Sequence, residues 1–194
     1  MVELTKDVMR RLNVPTAYFN VSFSKIPSEC PHKLIVLNYL KSVKVNVNAG
    51  RGLYLWGDYS QGKSAIACII LKVAAKHKLI GYWTRCSNMA SDIVSERMFD
   101  HTMSIHDRML SVPLLVIDEL LCHDDRRDVY VENVVRERVN ENLATIVTSN
   151  YSTTKLKNKY PALAEVLKEA VTPVRVDGHD FRKDIAIINK KAIS

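Results

Sequence analysis

The chain has 194 residues, 47% hydrophobic and 25% charged, which suits one substantial core and excludes a disordered or fibrous composition. No apolar run reaches membrane-spanning length, and the charged stretch Met1 to Leu12 lacks the apolar segment of a secretory signal, so the expected compartment is the cytoplasm, with no membrane partner. The net charge of +7 favours a polyanion such as nucleic acid, and the surplus sits at both ends: seven Lys/Arg against three acids in 1–50, nine against five in 151–194.

Met1 to about Lys25 reads as a polar lead-in, with Asn13-Val14-Pro15 breaking any helix begun at Glu3. Pro27 to Lys44 predicts a helix through Leu34, Ile35, Leu37, Leu40 and Val43, and Asn46 to Arg51 a turn. Gly52 to Trp56 is a short apolar run suited to a buried strand. Ser64 to His77 predicts a helix with Ile66, Ile69, Ile70, Val73 and Ala74 on one face. Leu79 to Thr84 reads as a second strand and Ser87 to Phe99 as a helix. Val112 to Ile117 is continuously apolar, as in a parallel strand covered on both faces. Asp128 to Asn140 predicts a helix, Thr145 to Thr148 a fourth strand and Val171 to Val176 a fifth. Alternating strands and helices predict a three-layer α/β/α sandwich on a mostly parallel five-stranded sheet. The four cysteines include no C-x-x-C pair, and Cys30-Pro31-His32 lacks the partners of a zinc site, so reduced thiols are expected.

Three motifs carry chemistry. Gly57-Asp58-Tyr59-Ser60-Gln61-Gly62-Lys63-Ser64 matches G-x-x-x-x-G-K-[ST], the phosphate-binding P-loop. Between a strand and a helix, such a loop turns its N–H groups toward phosphates at the helix N-terminus. Residues Gly57 to Ala65 are thus the expected contacts for ATP or ADP. Lys63 reaches the phosphates and Ser64 completes a Mg²⁺ site. Leu114-Leu115-Val116-Ile117-Asp118-Glu119 describes a strand that leaves the core in two acids, about 55 residues further on. This is the Walker B pattern, in which Asp118 holds Mg²⁺ and Glu119 polarises the attacking water. Thr145-Ile146-Val147-Thr148-Ser149-Asn150 is a strand ending in an amide, which can orient water or touch a γ-phosphate.

The type and order of these motifs resemble the AAA+ ATPases of the DnaC/DnaI helicase-loader and IstB transposition-helper group, from about Leu12 to Arg182. Leu12-Asn13-Val14-Pro15 with Tyr18-Phe19-Asn20-Val21-Ser22-Phe23 is similar to the segment that precedes the nucleotide core there. Arg138, seven residues before Thr145, stands where the group often has an arginine. Gly178-His179-Asp180-Phe181-Arg182 resembles its sensor 2 stretch. The resemblance implies the P-loop NTPase (AAA+) fold with a reduced C-terminal lid, divided as a lead-in 1–48 and an ATPase domain 49–194. It implies that Asn150 acts as sensor 1 and that Arg182 contacts the γ-phosphate. It also implies a DnaB-like replicative helicase and single-stranded DNA as partners, and a nucleotide-dependent homo-oligomer. Arg97, Phe99 and Arg108 are the candidates for DNA contact.

One departure concerns the arginine finger that the group places between sensor 1 and sensor 2. From Ala162 to Thr172 this chain has no arginine, and Lys168 is its only base. A lysine is a point charge without the guanidinium fork. The expected activity is therefore ATP hydrolysis that is slow in the isolated chain. Two other readings stay open: an IstB-like helper that binds duplex DNA, and a nucleotide-gated adaptor or inhibitor that does not hydrolyse. A compact chain of this kind resembles phage or mobile-element versions of the group.

Overall fold

A computed structural model describes residues 4–89, 104–120 and 125–178. Its centre is a five-stranded sheet in the order β2-β3-β4-β1-β5, with every neighbouring pair parallel. The strands are β1 (Gly52–Trp56), β2 (Gly81–Arg85), β3 (Leu114–Asp118), β4 (Ala144–Ser149) and β5 (Val171–Arg175). Successive side chains of a strand point to opposite faces. Leu53, Leu55, Leu114, Val116 and Ile146 therefore enter one apolar cluster, and Tyr54, Leu115, Ile117 and Val147 the other. Helices cover both faces, as the continuous apolar runs require.

The first face is covered by α1 (Lys6–Arg11), α2 (His32–Lys41), α3 (Val43–Asn48) and α4 (Lys63–Lys76). α4 is apolar nearly all round, with Ile66, Ala67, Cys68, Ile69, Ile70, Leu71 and Ala74 buried against the sheet. Each large aliphatic side chain so buried contributes about 1.5–3 kcal/mol. The second face carries α5 (Ile105–Ser111), α6 (Asp125–Asn140), α7 (Thr153–Lys159) and α8 (Pro161–Ala170). Ser104 caps α5 and Ser152 caps α7, each accepting a backbone N–H with its hydroxyl.

Two sequence expectations change. The helix predicted over Pro27 to Lys44 is two helices, because Ser42 leaves helical geometry at φ −111° and ψ 23°. The buried stripe is Val36, Tyr39, Val43 and Val47, while Leu34 and Ile35 face outward. Tyr39 turns inward because its hydroxyl donates to the Arg51 carbonyl at 2.7 Å. The lead-in is also more than polar chain. Met9, Leu12, Val14 and Ile26 are buried in the same cluster as α4 and the sheet.

Arg138 holds the second layer together. Its side chain is fully buried near the end of α6. The guanidinium donates to the carbonyls of Met109, Val112 and Ala144 at 2.6–3.0 Å, and Nε donates to Thr145 Oγ1 at 3.0 Å. It thus joins the end of α5 to the starts of β3 and β4. Burial pushes its pKa down to about 9, still far enough above neutral for the group to remain charged. A residue so enclosed cannot reach a neighbouring molecule. Arg138→Met leaves those carbonyls unsatisfied and is expected to destabilise the fold by on the order of 3 kcal/mol in urea unfolding. Arg136, exposed and paired with Glu132 at 2.8 Å, is the control, with Arg136→Ala expected to cost less than about 1 kcal/mol.

Candidate functional site

The carboxyl ends of β3, β4 and β1 lie side by side, so Asp118, Asn150 and Gly57 meet at one edge of the sheet. Ligands of open parallel sheets bind at such an edge. The loop from Gly57 leads directly into α4. Gly57 has φ +150°, and a Cβ there would stand 2.2 Å from the Val176 carbonyl oxygen, so only glycine fits. Gly62 is the N-cap of α4 with φ +87° and no side-chain cap. The first N–H groups of α4 are thereby left to face the loop, where they and the helix dipole favour an anion.

Lys63 is almost fully buried. Its ammonium donates to the carbonyls of Gly57 at 2.8 Å and Asp58 at 2.6 Å, so it curls back into the loop that it closes. Ser64 follows on the first turn of α4, where its hydroxyl acts to lower the Asp118 pKa. Asp118 is wholly buried. Thr148 Oγ1 donates to its Oδ1 at 2.7 Å, whereas its Oδ2 has no hydrogen-bond partner among the described residues. Burial pushes the Asp118 pKa up, and the Ser64 and Thr148 hydroxyls draw it part of the way back.

Glu119 takes φ +56°, so the chain turns sharply off the strand. Its N–H donates to Thr148 Oγ1 at 2.9 Å. Its carboxylate stays half exposed, 4.0 Å from the Arg85 side chain at the end of β2. Such an exposed pair adds little stability. Asn150 directly follows β4 and is half buried. Arg182 lies outside the described residues, as do Arg97 and Phe99 and the lid expected after Gly178. Arg108 lies away from the loop. It donates to the Arg11 carbonyl at 2.6 Å and covers the Tyr82 ring at 4.7 Å.

Sequence reasoning gave no role to Thr148, which ties both acids to β4. The signal was a hydroxyl side chain next to the end of a strand buried on both faces. It also gave no role to Arg85, whose pairing with Glu119 depends on β2 lying beside β3.

The residues present fit a metal-bearing nucleotide. A backbone cradle, a buried ammonium, a hydroxyl and a carboxylate with one unsatisfied buried oxygen meet at one helix N-terminus. The fold places a phosphate-loop motif at the carboxyl edge of a parallel sheet.

No family model matches the chain. It is similar to the replicative helicase loader DnaI of Bacillus subtilis (strain 168), 22% identical over 200 residues, covering 91% of this chain and 63% of that protein. The chain thus spans less than two thirds of the curated relative's length. Among solved structures, a DnaC helicase loader matches at a TM-score of 0.74 and 18% identity, over 84% of this chain and all of that one. A replication initiator DnaA bound to AMPPCP and single-stranded DNA matches at 0.66 and 15% identity, over 89% of this chain and 55% of that one. The fold is therefore that of the DnaC/DnaI AAA+ proteins.

Removing the unsatisfied charge has a testable consequence. Because the folded-state pKa of Asp118 is raised, the folded chain holds this proton more tightly than the unfolded chain does. Stability without ligand is therefore lost as pH rises from the ordinary carboxylate range through the raised value. Asp118→Asn is expected to flatten that loss and to raise the ligand-free melting temperature at neutral pH by about 2–4 °C. Thermal melts over a pH series would read both effects.

Proposed function

We propose that this chain binds ATP with Mg²⁺ and uses the nucleotide state to control attachment to a replicative helicase, to single-stranded DNA, or to both. The observation that carries the reading is the buried Asp118, whose Oδ2 has no hydrogen-bond partner among the described residues, at the sheet edge where Lys63 closes its loop. A cation satisfies that oxygen and offsets the buried charge. When bound, Mg²⁺ supplies charge neutralisation across the β- and γ-phosphates.

The chain's own groups then have distinct tasks. The N–H groups of Gly57 to Ala65 hold the phosphate oxygens. Lys63 exchanges its two loop carbonyls for phosphate. Ser64 and Asp118 hold the metal in place. Glu119 leaves Arg85 and accepts a hydrogen bond from the attacking water. Asn150 orients that water, and Arg182 contacts the γ-phosphate. Residues 49–194 carry this chemistry, and 1–48 are a lead-in segment and helix packed on the same core. Support for the helicase comes from similarity to DnaI and DnaC, and for single-stranded DNA from the ligand of the DnaA structure. Arg97, Phe99 and Arg108 are the proposed DNA contacts, and the basic surplus at the chain ends favours the same polyanion.

One observation favours the slow or non-hydrolysing version. α7 and α8 carry no arginine. Lys168 is paired with Glu165 at 2.6 Å, and Arg138 is enclosed. A trans-acting arginine can be worth about 10³–10⁵ in rate. The test is ATP turnover by purified protein over a concentration series, with and without single-stranded DNA, beside Glu119→Gln. The loader reading expects slow turnover that rises with protein or DNA concentration and disappears in Glu119→Gln. Fast turnover independent of both would contradict it. Binding without turnover under any condition would leave the adaptor.

A further inference from the structure

From Asn142 to Ala164 the sequence holds no acidic residue, and its three lysines, Lys155, Lys157 and Lys159, all fall on α7. All three are exposed. Two of them converge on one ring. The Lys155 ammonium stands 4.6 Å from the centroid of Tyr151, and the Lys159 ammonium 5.2 Å. Lys159 also donates to the Tyr151 hydroxyl at 3.1 Å and lies 5.2 Å from the Tyr160 ring. The two rings are themselves 6.4 Å apart. Residues four apart share a face of a helix, so α7 presents both ammoniums on the same side.

Like charges at this spacing repel each other. The faces of Tyr151 and Tyr160 attract the ammoniums and hold them in place, but an aromatic ring does not neutralise a charge. Among the described residues no carboxylate pairs with Lys155 or Lys159. Lys157 lies on the other side of the helix, beside Ala164 and Lys168, where its charge acts on Glu165. The Tyr151 side of α7 is thus a compact cationic surface without an internal counter-charge, and an anion bound there relieves the repulsion.

The rings beneath the lysines are anchored. Tyr151 follows Asn150, just beyond the carboxyl end of β4. Its N–H donates to Ser149 Oγ at 3.1 Å, and Ser149 Oγ donates to the Leu120 carbonyl at 3.0 Å. Its carbonyl accepts from the Tyr54 hydroxyl at 2.8 Å. Tyr151 is therefore fastened both to β1 and to the chain leaving β3. A ligand meets a surface whose order is already in place, which lowers the entropic cost of binding.

We propose that Lys155 and Lys159, held on Tyr151 and Tyr160, bind the phosphate backbone of single-stranded DNA. Lysines beside aromatic rings suit such a strand, with charge for its backbone and a ring for its bases, and Tyr160 is only half buried. The footprint is narrow, because a helix of seven residues is about 10 Å long. Beyond it α8 brings the exposed Glu165 and Glu169, which repel the second strand of a duplex. The inference rests on the single-stranded DNA reading above and adds a contact separate from Arg97, Phe99 and Arg108.

The test is fluorescence anisotropy of labelled oligothymidylate titrated with the full chain over a salt series. Lys155→Gln/Lys159→Gln removes both charges, and Lys76→Gln/Lys78→Gln removes two exposed charges at the far end of α4. The first variant is expected to bind on the order of tenfold more weakly, with the slope of log affinity against log salt shallower by about 1.4, as for two single-strand phosphates. The second is expected to lose less than about threefold and to keep the slope of the unaltered chain. Equal losses in the two variants would mean that only net charge matters, and would overturn the inference. So would an unchanged slope in the first variant, or a duplex of the same length that binds the unaltered chain more tightly and loses more in that variant. Failure of the unaltered chain to bind oligothymidylate even at low salt would instead overturn the single-stranded DNA reading itself, and the inference with it.

Discussion

The ladder that joins β3, β4 and β1 brings Asp118, Thr148 and Gly57 to one edge of the sheet. Parallel strands in fixed register end together, so residues about 90 positions apart in sequence become neighbours. One hydroxyl then completes the join. Thr148 Oγ1 donates to Asp118 and accepts from the Glu119 N–H, fixing the carboxyl end of β3 to β4. Arg138 performs the matching task at the opposite edge, where it fastens the starts of the same two strands. Between these two clamps the strands cannot slide, and the acids stay where β1 delivers the loop.

The site is built at some cost to stability. Asp118 is buried with half of its carboxylate unsatisfied, Lys63 is held inside its own loop, and Glu119 adopts left-handed backbone. A fold selected only for stability would place apolar groups at such positions. The large aliphatic face of α4 offsets these terms, because the helix that presents the phosphate loop is also the main cover of the sheet. Loop geometry and core packing are therefore properties of one element.

Much of this was legible in the sequence. The glycines of the loop, the apolar strand ending in two acids and the alternation of strands with helices gave the layers, the parallel sheet and the edge where the motifs meet. Local pattern sufficed there because the same residues that pack the core also punctuate the strands. The rest depended on contacts between distant segments. The break at Ser42 was hidden because an apolar periodicity continues across it. Met9, Leu12 and Val14 sit among charges, and nothing local marks them as core. Arg138 matched an arginine position of the resembling group, but only its bonds to the end of α5 and the starts of β3 and β4 show it to be enclosed. Phe19 and Val21 lie 53 and 51 positions before Lys72, and only the docking of their segment along α4 joins them.

The central claim is that the loop closed by Lys63 is an ATP site. Calorimetric titration of ATP with Mg²⁺ into the unaltered chain and into Lys63→Ala tests it most directly. The account expects one site per chain in the unaltered protein and an affinity at least about tenfold weaker in Lys63→Ala, the loss of one charge-assisted contact. Equal affinity in the two proteins would place the nucleotide elsewhere and contradict the account.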